Sequence, residues 1–192
     1  MYSSIFKRIF DLIFTTIILV IISPILLISA LLIKIDSKGP VFFTQLRMGK
    51  NKHQFEIIKF RTMTHKQRNF AGQTFPDDPE ITRVGKFLRR FKIDELPQFF
   101  NVLMGDMSIV GPRPCLKSTY EKFKDESTDF RFQVYPGVTS NAGTSGSIYL
   151  SWPEKWNLDK KYVENVSFSY DLSIILKTIM VVFVGENKFK IN

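Results

Sequence analysis

"FKIDELPQFFNVLMGDMSIVGPRP", Phe91 to Pro114, puts two adjacent carboxylates, Asp94 and Glu95, just after Arg89, Arg90 and Lys92, and closes on an arginine between two prolines. Its local reading is a helix with a clear start and stop. Asp94 can cap the N-terminus, Pro97 is tolerated in the first turn and Gly105 can end it. "SIVGPRP" then reads as a short apolar strand running into a rigid turn. Helix capping alone accounts for an Asp followed by a Glu in a first turn, and stabilises by about 1 kcal/mol. The same residues also support chemistry. A carboxylate at a helix N-terminus among arginines is expected to keep a low pKa, ionised and available to hold Mg²⁺ or to attack an electrophile. A diphosphate shields its phosphorus with negative oxygens, and Lys59, Arg89 and Arg113 with Mg²⁺ would neutralise them. Pro112 and Pro114 fix the backbone on each side of Arg113, which suits a guanidinium fork presented to phosphate, or simply a rigid surface turn.

Upstream, "RVGKFLRRFKI" sets Val84, Phe87, Leu88 and Phe91 at helical spacing against Arg83, Lys86, Arg89 and Arg90, an amphipathic basic helix suited to a membrane surface. Thr64–Thr82 has few aliphatic residues and several turn formers, so it reads as a loop over a site. "VFFTQLRMG" and "FEIIKFRTM", joined by "KNKHQ", read as two strands and a polar turn, with Lys59 and Arg61 aimed at one surface by strand alternation. Downstream, Pro136–Ser147 is rich in glycine, serine and threonine and reads as loop. Leu172–Val184 reads as an apolar helix too short to span a membrane, hence interfacial or core.

At the N-terminus, Leu12–Ile33 runs for 22 residues without a formal charge. A straight helix of that length reaches about 33 Å, enough for a bilayer core of about 30 Å. Ser23-Pro24 falls near its midpoint, where proline deletes the backbone hydrogen bond to Val20 and predicts a kink or break. Broken there, each half covers about half the core, and the segment could enter and leave by one face. A spanning and a re-entrant helix both fit. Lys7, Arg8, Lys34 and Lys38 at the two ends favour the re-entrant form modestly, and no convincing signal-peptide cleavage site follows.

A net charge of +9 over 192 residues favours an anionic partner, whether nucleic acid, acidic membrane or phosphorylated small molecule. Cys115 is the single cysteine, which excludes an internal disulfide framework, and with only His53 and His65 there is no zinc cluster. Any metal should be hard and oxygen-liganded. P-loop and dinucleotide-binding glycine motifs are missing, as is the Asp-x-Asp of many nucleotide-sugar glycosyltransferases. Both histidines read as surface residues and Cys115 as a small apolar filler.

Taken in order, "IISP", "KFRTM", the 33-residue run "TRVGKFLRRFKIDELPQFFNVLMGDMSIVGPRP" and "SWPEKWNLDKKYVENVSFSYDLSIILKT" resemble the small monotopic phosphoglycosyl transferases, bacterial sugar transferases. The resemblance covers essentially the whole chain, which looks like the minimal form. It implies an α+β fold with residues 1–38 as a re-entrant helix-break-helix turning at Ser23 and Pro24, and residues 39–192 as a cytoplasmic catalytic domain of short strands and interfacial helices. It implies a monotopic protein of the bacterial inner membrane, working on the cytoplasmic face among phospholipids. A sugar-1-phosphate passes from a UDP-sugar to undecaprenyl phosphate, releasing UMP, as a first membrane step of glycoconjugate synthesis. Asp94 matches the nucleophile that carries the phosphosugar. Mg²⁺ is expected on Asp94 and the diphosphate, with Glu95 positioning the site or assisting the metal. Lys59, Arg89 and Arg113 match the cations for phosphates and nucleotide. No nucleic-acid partner is implied, and nothing argues against a homo-oligomer. The rivals are a glycosyltransferase that releases UDP and a non-catalytic basic membrane-binding protein. Relatives usually read close to "PGITGWAQVNGRN", whereas this chain has "PGVTSNAGTSGSI", with Asn141 for the usual Trp and Ser147 for the usual Arg. The fold should survive that change, while the sugar pocket is altered.

Overall fold

The computed structural model describes residues 4–64, 78–125, 128–146 and 149–189. The chain begins with α1, Ser4–Asp36, which is helical throughout with Pro24 inside it. The expected interruption at Ser23-Pro24 is therefore not a non-helical break. Proline removes the partner of the Val20 carbonyl, and the Ser23 hydroxyl donates to that carbonyl at 2.8 Å in its place. One replaced bond is enough to keep the helix going.

A hairpin follows, β1 (Phe42–Met48) against β2 (Gln54–Phe60), antiparallel with Phe42 opposite Phe60 and Met48 opposite Gln54. These are the two strands the alternation predicts. Asn51 and Lys52 both take positive φ in the polar turn between them. Met63 bridges to Ile81, closing the base of the expected loop, of which residues 65–77 lie outside the described ones. Helix α2, Arg83–Arg90, is capped by the Thr82 hydroxyl, which accepts from the Gly85 amide. It packs so closely that a Cβ on Gly85 would overlap the Thr62 carbonyl.

Helix α3, Gln98–Met104, stops at Gly105 with φ 98, as the glycine predicts. Strand β3 (Ser108–Val110) runs parallel to β4 (Gly137–Thr139), pairing Ser108 with Gly137 and Val110 with Thr139. The region from Pro136 thus begins as strand and not as loop. Short helix α4 (Lys117–Phe123), α5 (Trp152–Glu164) and α6 (Phe168–Val184) complete the chain. Ser151 and Glu154 form a capping box at the start of α5.

One core joins Phe55 and Ile57 of β2, Phe99 and Val102 of α3, Ile109 and Val110 of β3, Tyr162 of α5 and Ile174 of α6, with Ile18, Leu19 and Ile22 of α1 against it. A second joins Ile33 of α1 to Phe60 and Leu88. Helix α1 is consequently gripped near both ends by one body. At its start Asp11 accepts from the Ser108 hydroxyl at 2.7 Å and the Ile109 amide at 3.2 Å, and Lys7 pairs with Asp171 at 2.5 Å. At its end the Asp36 carboxylate accepts from the Val84 amide at 3.0 Å. Between these anchors the outward side chains are apolar and exposed, Ile13, Ile17, Val20, Ile21, Leu27 and Ile28 among them. Helix α6 is alike: Asp171, Ile174 and Val181 face inward, while Leu176, Ile179, Met180 and Phe183 face out. On α2, Leu88 is buried and Phe87 is 54% exposed. Apolar surface on this scale marks an interaction with lipid or protein.

Candidate active site

Asp94 does not cap α3. It sits in a separate 3-10 turn, Ile93–Glu95, and the N-cap of α3 is Pro97, which offers no side-chain bond. The chain enters that turn through Lys92 in the left-handed conformation, φ 57. A non-glycine residue held there costs on the order of 1 kcal/mol or more, and such strain gathers at functional sites. The turn brings Glu95 against Lys59 of β2 and leaves Asp94 within the field of the same lysine.

Glu95 takes the close ion pairs. Lys59 Nζ from β2 is 2.8 Å from its Oε1, and Arg113 donates through Nη1 to Oε2 at 3.1 Å and through Nη2 to Oε1. Burial opposes ionisation of Glu95, but Arg113 and Lys59 outweigh it and hold the carboxyl well below its usual value. Asp94 feels Lys59, Arg89 and Arg113 through their charge, and these pull it down. Burial and the neighbouring Glu95 act more strongly, and its carboxyl rises above 3.8. This corrects the expectation of a low pKa for Asp94: the depressed carboxyl is Glu95. Both belong to one electrostatic unit, since two carboxylates this close resist a second negative charge.

The predicted cations converge as expected with one exception. Lys59, Arg89 and Arg113 all face the carboxylates, Arg89 being steadied by its Nε bond to the Thr62 hydroxyl at 2.8 Å. Arg61 does not join Lys59. It lies past the end of β2, buried, and its guanidinium donates to Ser37 and Lys38 at the C-terminal end of α1. Arg47 escaped sequence reasoning, although the hairpin register could have exposed it. The pairs Phe43–Lys59, Gln45–Ile57 and Arg47–Phe55 share one face, so Arg47 lies on the same side as Lys59. Burial and the nearby Arg113 lower its pKa to about 10, and it donates to Gln45 at 2.7 Å. Among the described residues Lys59, Arg89, Lys92, Arg113 and Arg47 thus act on two carboxylates, a surplus that suits a polyanion.

Among the described residues no group of three His, Cys, Asp or Glu could cage a metal. A magnesium ion needs no such cage, because it commonly takes one or two carboxylates with substrate phosphates and water. Asp94 fits that use, whereas both oxygens of Glu95 already face cations. Cys115 is fully buried, consistent with a filler. In the divergent segment, Asn141 donates to the Leu158 carbonyl at 3.3 Å and its own carbonyl accepts from the hydroxyls of Thr144 and Ser145. Ser147 lies outside the described residues.

The family model "Bacterial sugar transferase" matches residues 2–185. The chain belongs to the bacterial sugar transferase family. The transferase is 41% identical over 95% of its length to the sugar transferase EpsL of Bacillus subtilis (strain 168), covering 89% of that protein. It is 38% identical to a UDP-glucose:undecaprenyl-phosphate glucose-1-phosphate transferase of Klebsiella pneumoniae, over 96% of this chain and 42% of that one. It is also 38% identical to a UDP-N-acetylgalactosamine-undecaprenyl-phosphate N-acetylgalactosaminephosphotransferase of Aeromonas hydrophila, over 93% and 44% respectively. The transferase thus spans less than half the length of these two relatives and most of EpsL. Its exposed apolar α1 agrees with a membrane-associated enzyme.

Proposed function

We propose that the chain is a phosphoglycosyl transferase that moves a sugar-1-phosphate from a UDP-sugar to undecaprenyl phosphate. The carboxylate of Asp94 attacks the sugar-linked phosphorus of the donor. A P–O bond to Asp94 forms, the P–O bond to the bridging oxygen breaks, and UMP leaves with that electron pair. A phosphate oxygen of the lipid then attacks the same phosphorus, giving the polyprenyl diphosphate sugar and restoring the carboxylate. The division of labour between adjacent acids carries this reading. Glu95 absorbs Lys59 and Arg113 and stays ionised, while Asp94, with its raised pKa, is the more basic and better nucleophile when ionised. Arg89, Arg113 and Lys59 neutralise the donor phosphates that would otherwise repel it. Asp94, with the donor diphosphate, would hold a magnesium ion, which would supply further charge neutralisation. Glu95 positions the cations.

Residues 1–38 form the membrane segment and residues 39–192 the catalytic part. The clamping of α1 near both ends supports a monotopic seating, because a helix whose two ends meet the same globular body cannot place them on opposite sides of a bilayer. The basic residues Lys7, Arg8, Lys34 and Lys38 at its two ends suit the anionic cytoplasmic leaflet. The products serve as lipid-linked starting sugars for capsule, O-antigen, exopolysaccharide or glycoprotein glycans.

The deciding experiment incubates the purified chain with Mg²⁺, undecaprenyl phosphate and a panel of UDP-sugars, and identifies the nucleotide released. UMP is expected. Release of UDP would mean that the sugar C–O bond breaks instead.

A further inference from the structure

The turn that carries Arg113 is held by three carbonyls from three directions. Pro112 O accepts from the Gly137 amide of β4 at 3.0 Å, Cys115 O accepts from the Met48 amide at the end of β1 at 2.9 Å, and Arg113 O accepts from Arg131 Nη2. Pro112 and Pro114 have no N–H, so carbonyls are the main handles this segment offers. Two of the grips are backbone. Only the one on Arg113 itself comes from a side chain.

Arg131 lies buried in a 3-10 turn, Thr128–Phe132, with its guanidinium 5.8 Å from the centre of the Trp156 ring. Its Nη2 is 3.4 Å from Asp159 Oδ2 on α5, and both side chains are only 4% exposed. As a stabilising device the pair is poor. Arg131 Nη1 and Asp159 Oδ1 are buried without a hydrogen-bond partner, where a two-pronged fork would satisfy both. Apolar residues in place of such a buried pair are often neutral or better for stability. What the pair has that apolar residues lack is a donor for Arg113.

We propose that Arg131, held by Asp159, is a positioning residue that fixes the backbone of Arg113 so that its guanidinium can meet Glu95 and the donor diphosphate together. The part concerning the diphosphate rests on the function proposed above. The signal travels from α5 through one buried arginine to the turn, with no contact between Asp159 and substrate required.

Two measurements on the full chain test this. Asp159→Asn removes the charge with little change of shape, and Arg131→Lys keeps the charge but loses the fork. Each should lower kcat/KM for the UDP-sugar, read as UMP release, on the order of tenfold to a hundredfold while leaving KM for the lipid unchanged. Placed in an Arg113→Lys background, each should cause no further loss, because its effect passes through Arg113. Equal fold losses in both backgrounds overturn the proposal. Hydrogen exchange provides the second reading, independent of turnover. Asp159→Asn should speed exchange across residues 111–116 by about tenfold and leave α1 unchanged. Unchanged exchange in that turn overturns the proposal even if activity falls. Faster exchange there in a protein that releases no UMP from any donor would retain the holding role and reject the reaction.

Discussion

Lys59 Nζ lies 2.8 Å from Glu95 Oε1, and Arg113 donates to both oxygens of the same carboxylate. One acid therefore keeps two cations together that would otherwise repel. Glu95→Gln should reduce UMP release by about a hundredfold or more, since the two cations proposed to meet the donor phosphates lose their shared anchor. With Arg113 itself 41% exposed, the stability lost should be only about 2 kcal/mol, or roughly 5 °C in a melting experiment. The folded pKa of Glu95 lies below its unfolded value of 4.5, so this contribution is complete above pH 4.5 and is lost as pH falls through the folded value. Melting of the two proteins should accordingly converge in acid.

Asp94→Asn should abolish UMP release, because a carboxamide cannot replace the attacking carboxylate. Its association with membranes should persist, as the apolar faces of α1 and α6 are untouched. Turnover retained by this variant would remove the nucleophile from the scheme. Trapping a phosphosugar on Asp94 by mass spectrometry checks the covalent step directly.

Asp159 offers a pH signature of a different kind. Burial raises its carboxyl from 3.8 to about 6 in spite of Arg131. The folded protein then binds more protons than the unfolded chain between those values, so stability falls as pH rises from about 4 to 6 and levels off above. The gap corresponds to at most about 3 kcal/mol. Asp159→Asn should lack this component, gaining stability relative to the parent as pH rises from 4 to 7 in chemical unfolding curves. No such divergence is expected if the carboxylate is well solvated.

Gly85→Ala tests the seam between α2 and the segment after β2. Alanine favours helix by about 1 kcal/mol, but its Cβ would run into the Thr62 carbonyl, which backbone geometry cannot easily move. A net loss of about 2 kcal/mol is expected in thermal unfolding. UMP release should also fall, because Thr62 steadies Arg89.

Tags placed before Lys7 and after Asn192 should be labelled from the same side of the membrane. Opposite labelling would show that α1 crosses.

The hairpin, α2 and the glycine stop after α3 were legible because their signals are local: alternation with a polar turn, apolar residues at helical spacing from Val84 to Phe91, and a glycine just past the last helical turn. What escaped depends on distant partners. Strand β4 is three residues that become strand only by pairing with β3, nearly thirty residues away. Asp94 looked like an N-cap because the left-handed Lys92 and the 3-10 turn that follows carry no pattern of their own. Arg61 seemed to belong with Lys59 by alternation, yet the strand ends at Phe60 and the carbonyls of Ser37 and Lys38, just past α1, capture it. Arg131 and Asp159 stand on different elements, and only the fold brings them together. The Ser-Pro pair was read as a kink or break, yet α1 stays helical through it, the serine hydroxyl bonding the carbonyl that the proline leaves without a partner.

A helix fastened at bow and stern to one hull has no means of adjusting its own depth. With the monotopic seating proposed above, it never has to match the full thickness of the bilayer, and hydrophobic mismatch cannot tilt Asp94, the proposed nucleophile, away from the headgroups. Turnover in nanodiscs of short and long acyl chains should then be nearly the same, with the acceptor arriving by sideways diffusion at a fixed height.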